Sequence, residues 1–327
     1  MSAPDPAGAE QRAPEQRAPE QRAPEQRAPE PRGRIVVFGD VIDDIVVVPQ
    51  EPVRPDTDTS SSIRHRAGGS AANVAAWLGS LDAPVALVGI VGADDVDRHT
   101  AGLAAFGVRP LIDGHPELPT GTIVVIVDGE RRTMLTERGA NSRLDPRRVT
   151  DELLDDAAVL HLTGYSIVDS PDLNALADLV LRAARRGVAV SVDPASAGYI
   201  VDFGVPRFLD AMSGAALVFP NLDEGRALTG ESDPLEVAAS LGRRFRVVAL
   251  TLGADGAIVV QDGGAPVSIP AVPSRILDPT GAGDAFCAGF LAAWSTVPDA
   301  VAAAKAGVQV AERAVTAIGG RPRPQSR

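Results

Sequence analysis

Lysine is nearly missing from this chain of 327 residues, with Lys305 the only one. A phosphate-binding loop of the form Gly-x-x-x-x-Gly-Lys-Ser/Thr therefore cannot be written anywhere in it. Cysteine is equally scarce: Cys287 stands alone, which rules out an intramolecular disulfide and fits a reducing compartment, expected to be the cytoplasm. Cys287 falls inside an apolar stretch and reads as a packed core thiol, not a nucleophile. The four histidines, His65, His99, His115 and His161, are scattered without metal-ligand spacing. Aromatic residues make up only 4%, so a core must be built mainly from Ala, Val and Leu, and a hydrophobic content of 45% is enough for one. Positive charge is in deficit, with a formal net charge of −12, which argues against a nucleic-acid partner. No apolar run reaches membrane-spanning length and no apolar signal core begins the chain, so no membrane association is expected.

What is present is ordered along the chain. The unit Glu-Gln-Arg-Ala-Pro repeats from Glu10 to Pro29, polar and punctuated by proline, so residues 1–33 are expected to form a disordered tail. The folded part then starts with 35–39, a fully apolar strand of the kind buried on both faces of a parallel sheet. Segments 45–49 and 57–66 alternate apolar and polar residues like exposed strands, as do 108–113, 120–127 and 131–137, with Asp128-Gly129 as a hairpin turn. Lid strands are accordingly placed at about 45–66 and 108–137, forming a small sheet. From residue 145 onward strands at 159–163, 188–192, 217–220 and 247–252 alternate with helices at 172–186, 222–228 and 234–245. Such alternation predicts an α/β fold with a doubly wound, mostly parallel sheet and helices on both faces. The main domain is expected over 34–320, with 321–327 as a second tail.

The densest stretch of chemistry is Asp278-Pro-Thr-Gly-Ala-Gly-Asp284, followed by an apolar helix from Ala285. Glycines at 281 and 283 let backbone approach a ligand, and the amides of Gly281, Ala282 and Gly283 at a helix start suit an anion such as phosphate. A carboxylate there would repel that anion, so Asp284 is better explained as a base that takes a proton from an attacking group. The plainer account is a helix-terminal charge behind a Gly-rich turn. Upstream, Asp40, Asp43 and Asp44 follow the first strand at the end where open α/β sheets bind ligands; the plainer account is that they are turn residues, and for Asp43 it is the preferred one. Gly68-Gly69 could let a sugar lie against the backbone and Asn73 could serve vicinal hydroxyls, or the segment is simply a helix cap. Asn221-x-x-Glu224 reads as a capping box opening a helix, and Thr251-x-Gly253-x-x-Gly256 as a hairpin. Gly164-Tyr165 follows another strand end, where a glycine could leave room for a larger ligand.

Asp278-Pro-Thr-Gly-Ala-Gly-Asp-Ala-Phe-Cys-Ala-Gly-Phe-Leu291 resembles the C-terminal signature of the ribokinase-like, phosphofructokinase-B-type carbohydrate kinases, and Gly68-Gly69 through Gly92 resembles the N-terminal one. Asp82 departs from the latter, which wants a small residue there. The resemblance covers about 34–320. It implies an ATP-dependent kinase for a hydroxyl, expected to be primary, of a sugar or nucleoside. In its terms Asp284 is the catalytic base, and Gly281, Ala282 and Gly283 form the anion hole. Asp44, Gly68, Gly69 and Asn73 hold the acceptor. Asn221, Thr251, Gly253 and Gly256 contact the nucleotide. Asn221 and Glu224 govern Mg2+, partly through water, and Asp278 contributes to a K+ site. Val308 stands where some members carry an adenine-side Asn. The lid would close over the sugar and offer a homodimer surface. Against this stands a catalytically inactive nucleotide- or sugar-binding regulator of the same fold. A nicotinamide-dependent oxidoreductase is disfavoured, because no Gly-x-Gly-x-x-Gly follows the first strand.

Overall fold

The computed structural model describes residue 1 and residues 33–128, 131–194 and 196–323. The repeat of the expected tail, residues 10–29, and Gly129 of the expected hairpin turn lie outside the described residues. The strands run β1 (Arg34–Phe38), β2 (Ile42–Pro49), β3 (Ser61–Gly68), β4 (Val85–Gly92), β5 (Arg109–His115), β6 (Gly121–Asp128), β7 (Arg131–Glu137), β8 (Ala157–Thr163), β9 (Ala189–Asp193), β10 (Leu217–Val218), β11 (Val247–Thr251), β12 (Ala257–Gln261) and β13 (Val267–Ile269). The helices are α1 (Ser70–Ser80), α2 (Val96–Ala104), α3 (Asp151–Asp155), α4 (Gly164–Val168), α5 (Leu173–Arg185), α6 (Ala197–Phe203), α7 (Val205–Ala211), α8 (Leu222–Thr229), α9 (Pro234–Gly242), α10 (Ala282–Trp294) and α11 (Ala300–Val315).

Ile35, Val36, Val37 and Phe38 of β1 are all buried because they feed two cores at once. Ile35 and Val37 pack with α1, α10 and α11 on one face, while Val36 and Phe38 pack with α5, α7 and α9 on the other. Side chains alternate along a strand, so an uninterrupted apolar run requires helices on both sides of the sheet. β1 is parallel to β4 and β8, and the large sheet has the order β13-β12-β11-β10-β9-β8-β1-β4-β5, with β12 and β13 antiparallel. This is the α/β architecture expected from the sequence. The hairpin read between β11 and β12 is also present.

A second sheet, β3-β2-β6-β7, forms the lid. Its root is fixed by Asn141, whose side-chain oxygen accepts from the Val41 amide (3.0 Å) and whose amide donates to the Val41 carbonyl (2.9 Å). One assignment needs correction: the segment read as a lid strand at 108–113 is β5, which runs parallel to β4 at the edge of the large sheet. An edge strand is half exposed, as a lid strand is, so alternation alone could not say which sheet it joined. The non-glycine residue that departs from the N-terminal signature, Asp82, has φ of +57° just after α1. A left-handed turn there explains the preference for a small residue, and Asp is among the few others that tolerate it.

Candidate active site

α10 starts at a backbone that only glycine satisfies. Its N-cap, Gly281, has φ of +74°, and a Cβ there would lie 2.5 Å from the Cα of Gly320. Gly283, in the first turn, is different: no protein atom lies within 4 Å of where its Cβ would be. Alanine at a helical position is favoured over glycine by about 1 kcal/mol, so the protein itself supplies no steric reason for Gly283. Close approach by a ligand does supply one. Amides in the first turn of a helix lack intrahelical acceptors, although that of Ala282 donates to the Pro279 carbonyl at 3.3 Å.

Asp284 follows on the same turn. Ser70 Oγ donates to its Oδ1 at 2.7 Å and Asn73 Nδ2 donates to its Oδ2 at 2.9 Å. Its pKa is pushed up to about 7, first by burial and then by the charges of Asp193 and Asp40, against the lowering effect of those two hydrogen bonds. A carboxyl that titrates near neutrality is suited to both accept and release a proton.

Ser70 and Asn73 are held in place by Asp40. Its Oδ2 accepts from the Ser70 amide (2.8 Å), and its Oδ1 accepts from the Ala71 amide (3.3 Å) and from Thr163 Oγ1 (3.1 Å). Asp40 thus caps α1 from the end of β1 and also lines the cavity that Asp284 borders. Gly69, the N-cap of α1, has φ of +92°, and a Cβ on it would strike the Asp40 carbonyl at 2.5 Å. The loop is a helix start, as the plainer account has it, and its Gly69 and Asn73 also line the cavity that Asp284 borders.

Asp44, on β2, lines the same cavity of about 390 Å³ as Gly69, Asn73, Asp284 and residues 281–283. Burial raises its pKa to about 6, with Arg321 and Arg66 pulling it back and Asp40 and Asp43 pushing it further up. Gly68 lies behind it: a Cβ there would come 2.2 Å from Asp44 Oδ2. Ile123, Val125 and Met134 of the lid close this lobe, with Tyr165 from α4. Asp43 does not reach the cavity. It pairs with Arg98 (2.6 Å) and lies 3.4 Å from His99 Nε2.

A second lobe of about 580 Å³ adjoins the first through Asn221, Thr251, Pro279, Ala282, Gly283 and Phe286. Gly253 and Gly256 line it, as do Val308, Ala311 and Val315 of α11. Its apolar walls suit a flat heterocycle. At the junction, Asn221 and Glu224 form a capping box on α8: Asn221 Oδ1 accepts from the Glu224 amide, and Glu224 accepts from the Asn221 amide (2.9 Å) and from Asn221 Nδ2 (2.6 Å). Burial raises the Glu224 pKa to about 7. Both of its oxygens are engaged, and no group of three His, Cys, Asp or Glu side chains among the described residues could cage a metal. A Mg2+ that kept its waters would meet Glu224 only through one of them, and the residues present are compatible with such an ion. Asp278 Oδ1 accepts from the Thr280 amide (3.0 Å) and its Oδ2 from the Gly319 amide (3.1 Å).

Two sequence-based expectations are overturned here. Gly164 makes no room for a ligand: a Cβ on it would meet the Pro194 carbonyl oxygen at 2.0 Å, so it is there to let two chain segments pass. Residues 321–327 are not wholly a tail, because Arg321 folds back onto the junction of β3 and α1, where its Nη2 donates to the carbonyl of Gly68, the last residue of β3, at 2.8 Å. Cys287 is buried, as expected, and its thiol is pushed well above its usual pKa. Sequence reasoning passed over Ser70, whose only signal was its place as the first helical residue after two glycines. Asp193, the last residue of β9, also lines the cavity and acts on Asp284.

Residues 32–326 match the model of the pfkB family carbohydrate kinases. An ATP-dependent ribose-1-phosphate kinase of Halopiger xanaduensis is 34% identical over 257 residues, covering 75% of this chain and 80% of that protein. The bifunctional protein HldE of Shewanella baltica is 31% identical over 310 residues, and this chain spans 62% of its length. The crystal structure of adenosine kinase from Sinorhizobium meliloti superposes with a TM-score of 0.78 at 27% identity, over 89% of this chain and 96% of that one.

Proposed function

The chain belongs to the pfkB family of carbohydrate kinases, and from that premise we propose that it transfers the γ-phosphoryl group of ATP to a hydroxyl, a primary one, of a sugar or nucleoside. The observation that carries this reading is that Asp284 and the first-turn amides of α10 border one cavity with Asp44 and Asn73, while a second, apolar lobe opens beside them. The larger lobe would take the adenine and ribose of ATP against Gly253, Gly256 and Val308, with Thr251 and Asn221 near the phosphates. The smaller lobe would take the acceptor, its hydroxyls held by Asp44, Asn73 and the backbone of Gly68 and Gly69.

In the reaction, Asp284 accepts the proton of the attacking hydroxyl as its oxygen bonds to the γ-phosphorus and the bond to the β-phosphate oxygen breaks. The amides of Gly281, Ala282 and Gly283 stabilise charge on the transferring group, for which that of Ala282 must leave its 3.3 Å bond to Pro279. When bound, Mg2+ supplies electrostatic stabilisation of the phosphate oxygens, and Asn221 and Glu224 would orient its waters. Asp278 would contribute to holding a monovalent cation, which would supply positive charge near the transferred phosphoryl group. Closure of the lid residues Ile123, Val125 and Met134 would exclude water and suppress hydrolysis of ATP. The face of the same sheet turned away from the cavity presents exposed Ile63 and Leu135, a surface on which two copies could pair.

The test is a coupled ADP-release screen over pentoses, hexoses, sugar phosphates, keto-deoxy acids and nucleosides, with Mg2+ present and K+ varied. Acceptor-dependent ADP formation is expected. Calorimetric binding of ATP or a sugar without ADP release from any acceptor would establish an inactive regulator instead.

A further inference from the structure

After α11 the chain does not leave the molecule but passes through Gly319-Gly320-Arg321 across the start of both site helices. The Gly319 amide donates to Asp278, and Trp77 Nε1 of α1 donates to the Gly320 carbonyl at 2.9 Å. Gly320 is wedged so tightly that a Cβ on it would lie 2.6 Å from Asn73 Nδ2, and its own Cα is what excludes a side chain from Gly281. Gly319 has φ of +105° and abuts Arg66 of the lid. Arg321, next in line, places its guanidinium behind the acceptor loop: Nη2 donates to the Gly68 carbonyl and Nε donates to Asn73 Oδ1 at 3.3 Å.

We propose that Arg321 is a positioning residue for phosphoryl transfer, fixing the Asn73 amide so that its NH2 group faces Asp284. The role rests on the kinase reading above. An Asn side chain can occupy its site in two orientations related by a flip of oxygen and nitrogen. Arginine has five donors and no acceptor, so the atom of Asn73 that faces Arg321 must be the oxygen. The nitrogen is then turned to Asp284 Oδ2, where it is a good partner only while that oxygen can accept. Flipping Asn73 would set its oxygen against the carboxylate and its NH2 against the guanidinium. The relay Arg321, Asn73, Asp284 therefore favours the ionised base, and the positive charge of Arg321 near Asp44 and Asp284 acts in the same sense. The other charged groups around Arg321 include Asp43 and Arg98, which are paired with each other, and Arg66, which abuts Gly319 and acts with Arg321 on Asp44. Without Arg321, Asn73 can turn its oxygen to a protonated Asp284, and the inactive form of the base gains a hydrogen bond.

The experiment compares wild type, Arg321→Gln and Arg321→Lys in steady-state kinetics between pH 5.5 and 9, using the fastest acceptor among adenosine, D-ribose, D-fructose and ribose 1-phosphate. For Arg321→Gln the expected result is a fall of about tenfold or more in kcat/KM for the acceptor, a KM for ATP within about twofold of wild type, and an acid limb moved up by about half a pH unit or more. Arg321→Lys keeps the charge and one donor, so its acid limb should return toward the wild-type position. An Arg321→Gln enzyme with unchanged acceptor kinetics and an unmoved acid limb overturns the proposal. If that variant melts below the assay temperature, Arg321→Lys decides: losing the fork should raise the acceptor KM about threefold or more, and wild-type kinetics there also overturn the proposal. A wild-type protein that releases no ADP with any of the four acceptors, or with the wider panel, refutes the kinase reading itself, and Arg321 has then no reaction to serve.

Discussion

Ser70 and Asp284 stand 214 residues apart in the chain and meet through a hydrogen bond of 2.7 Å. The bond exists because α1 and α10 pack side by side on one face of the large sheet, burying Trp77, Leu78, Phe290 and Leu291 in a shared core. Both helices point their N-termini at one cavity. α1 brings the donors that hold the carboxyl, and α10 brings the carboxyl together with the amides beside it. The apolar contact between the helices, far from any chemistry, sets the distance on which the site depends.

Replacing Asp284 by Asn should cut kcat by roughly 10²-fold or more, the usual scale for losing a positioned base. The second lobe is built without that carboxyl, so ATP affinity by calorimetry should stay within about threefold of wild type. Turnover comparable with wild type would remove Asp284 from the mechanism.

The pH dependence follows from the same residue. Asp284 must be ionised to accept a proton, and its pKa is raised to about 7. Activity should therefore be lost as the pH falls through about 7, well above the range of an ordinary carboxylate. Profiles of kcat/KM measured with acceptor as the varied substrate check this; an acid limb below pH 5 would contradict it.

The main sheet and the sequence around Asp284 were legible because each signal was local. An apolar run such as 35–39 names a strand covered on both sides, and Gly281 and Gly283 mark a helix start by their spacing. Three kinds of information were not local. Which sheet β5 joins depends on its neighbour β4, not on its own alternation. Gly164 looked like open space because a sequence does not show Pro194 lying against it. Arg321 sat among Pro and Arg residues that read as tail, and its meaning comes only from Asn73 and Gly68, brought near by α1 and the strands before it.

Gly68→Ala should act on the acceptor alone. A Cβ there falls 2.2 Å from Asp44 Oδ2, and the carboxyl is the part that can move. Displacing it from the cavity should raise the acceptor KM roughly tenfold, the scale of a lost hydrogen bond to a charged group, with the KM for ATP unchanged. Equal effects on both substrates would mean that the loop, not Asp44, had been disturbed.

Glu224→Ala removes half of the capping box on α8 and should lower stability by about 1 kcal/mol in denaturant titration. It also frees Asn221 to rotate at the junction of the two lobes. The Mg2+ concentration giving half-maximal activity should rise several-fold. An unchanged Mg2+ dependence would confine Glu224 to the helix cap.

Asp284 should also cost the fold stability in a pH-dependent way. Its folded pKa lies above the 3.8 of an ordinary Asp, so the folded state binds the proton more tightly than the unfolded state does. Stability from this group is then fully present below about pH 4 and is lost as the pH rises through about 7. Asn at 284 carries no such dependence, and it can keep both contacts: its oxygen accepts from Asn73, and its NH2 donates to Ser70, whose hydroxyl turns to accept. At pH 8 Asp284→Asn should therefore be the more stable protein, by on the order of 2 kcal/mol once solvent access to the partly exposed carboxyl is allowed for. The advantage should shrink as the pH is lowered toward 4. Melting curves of the two proteins at pH 5 and pH 8 decide the matter, since a gap that is constant or widens at acid pH would mean that Asp284 is not held at a raised pKa in the free enzyme.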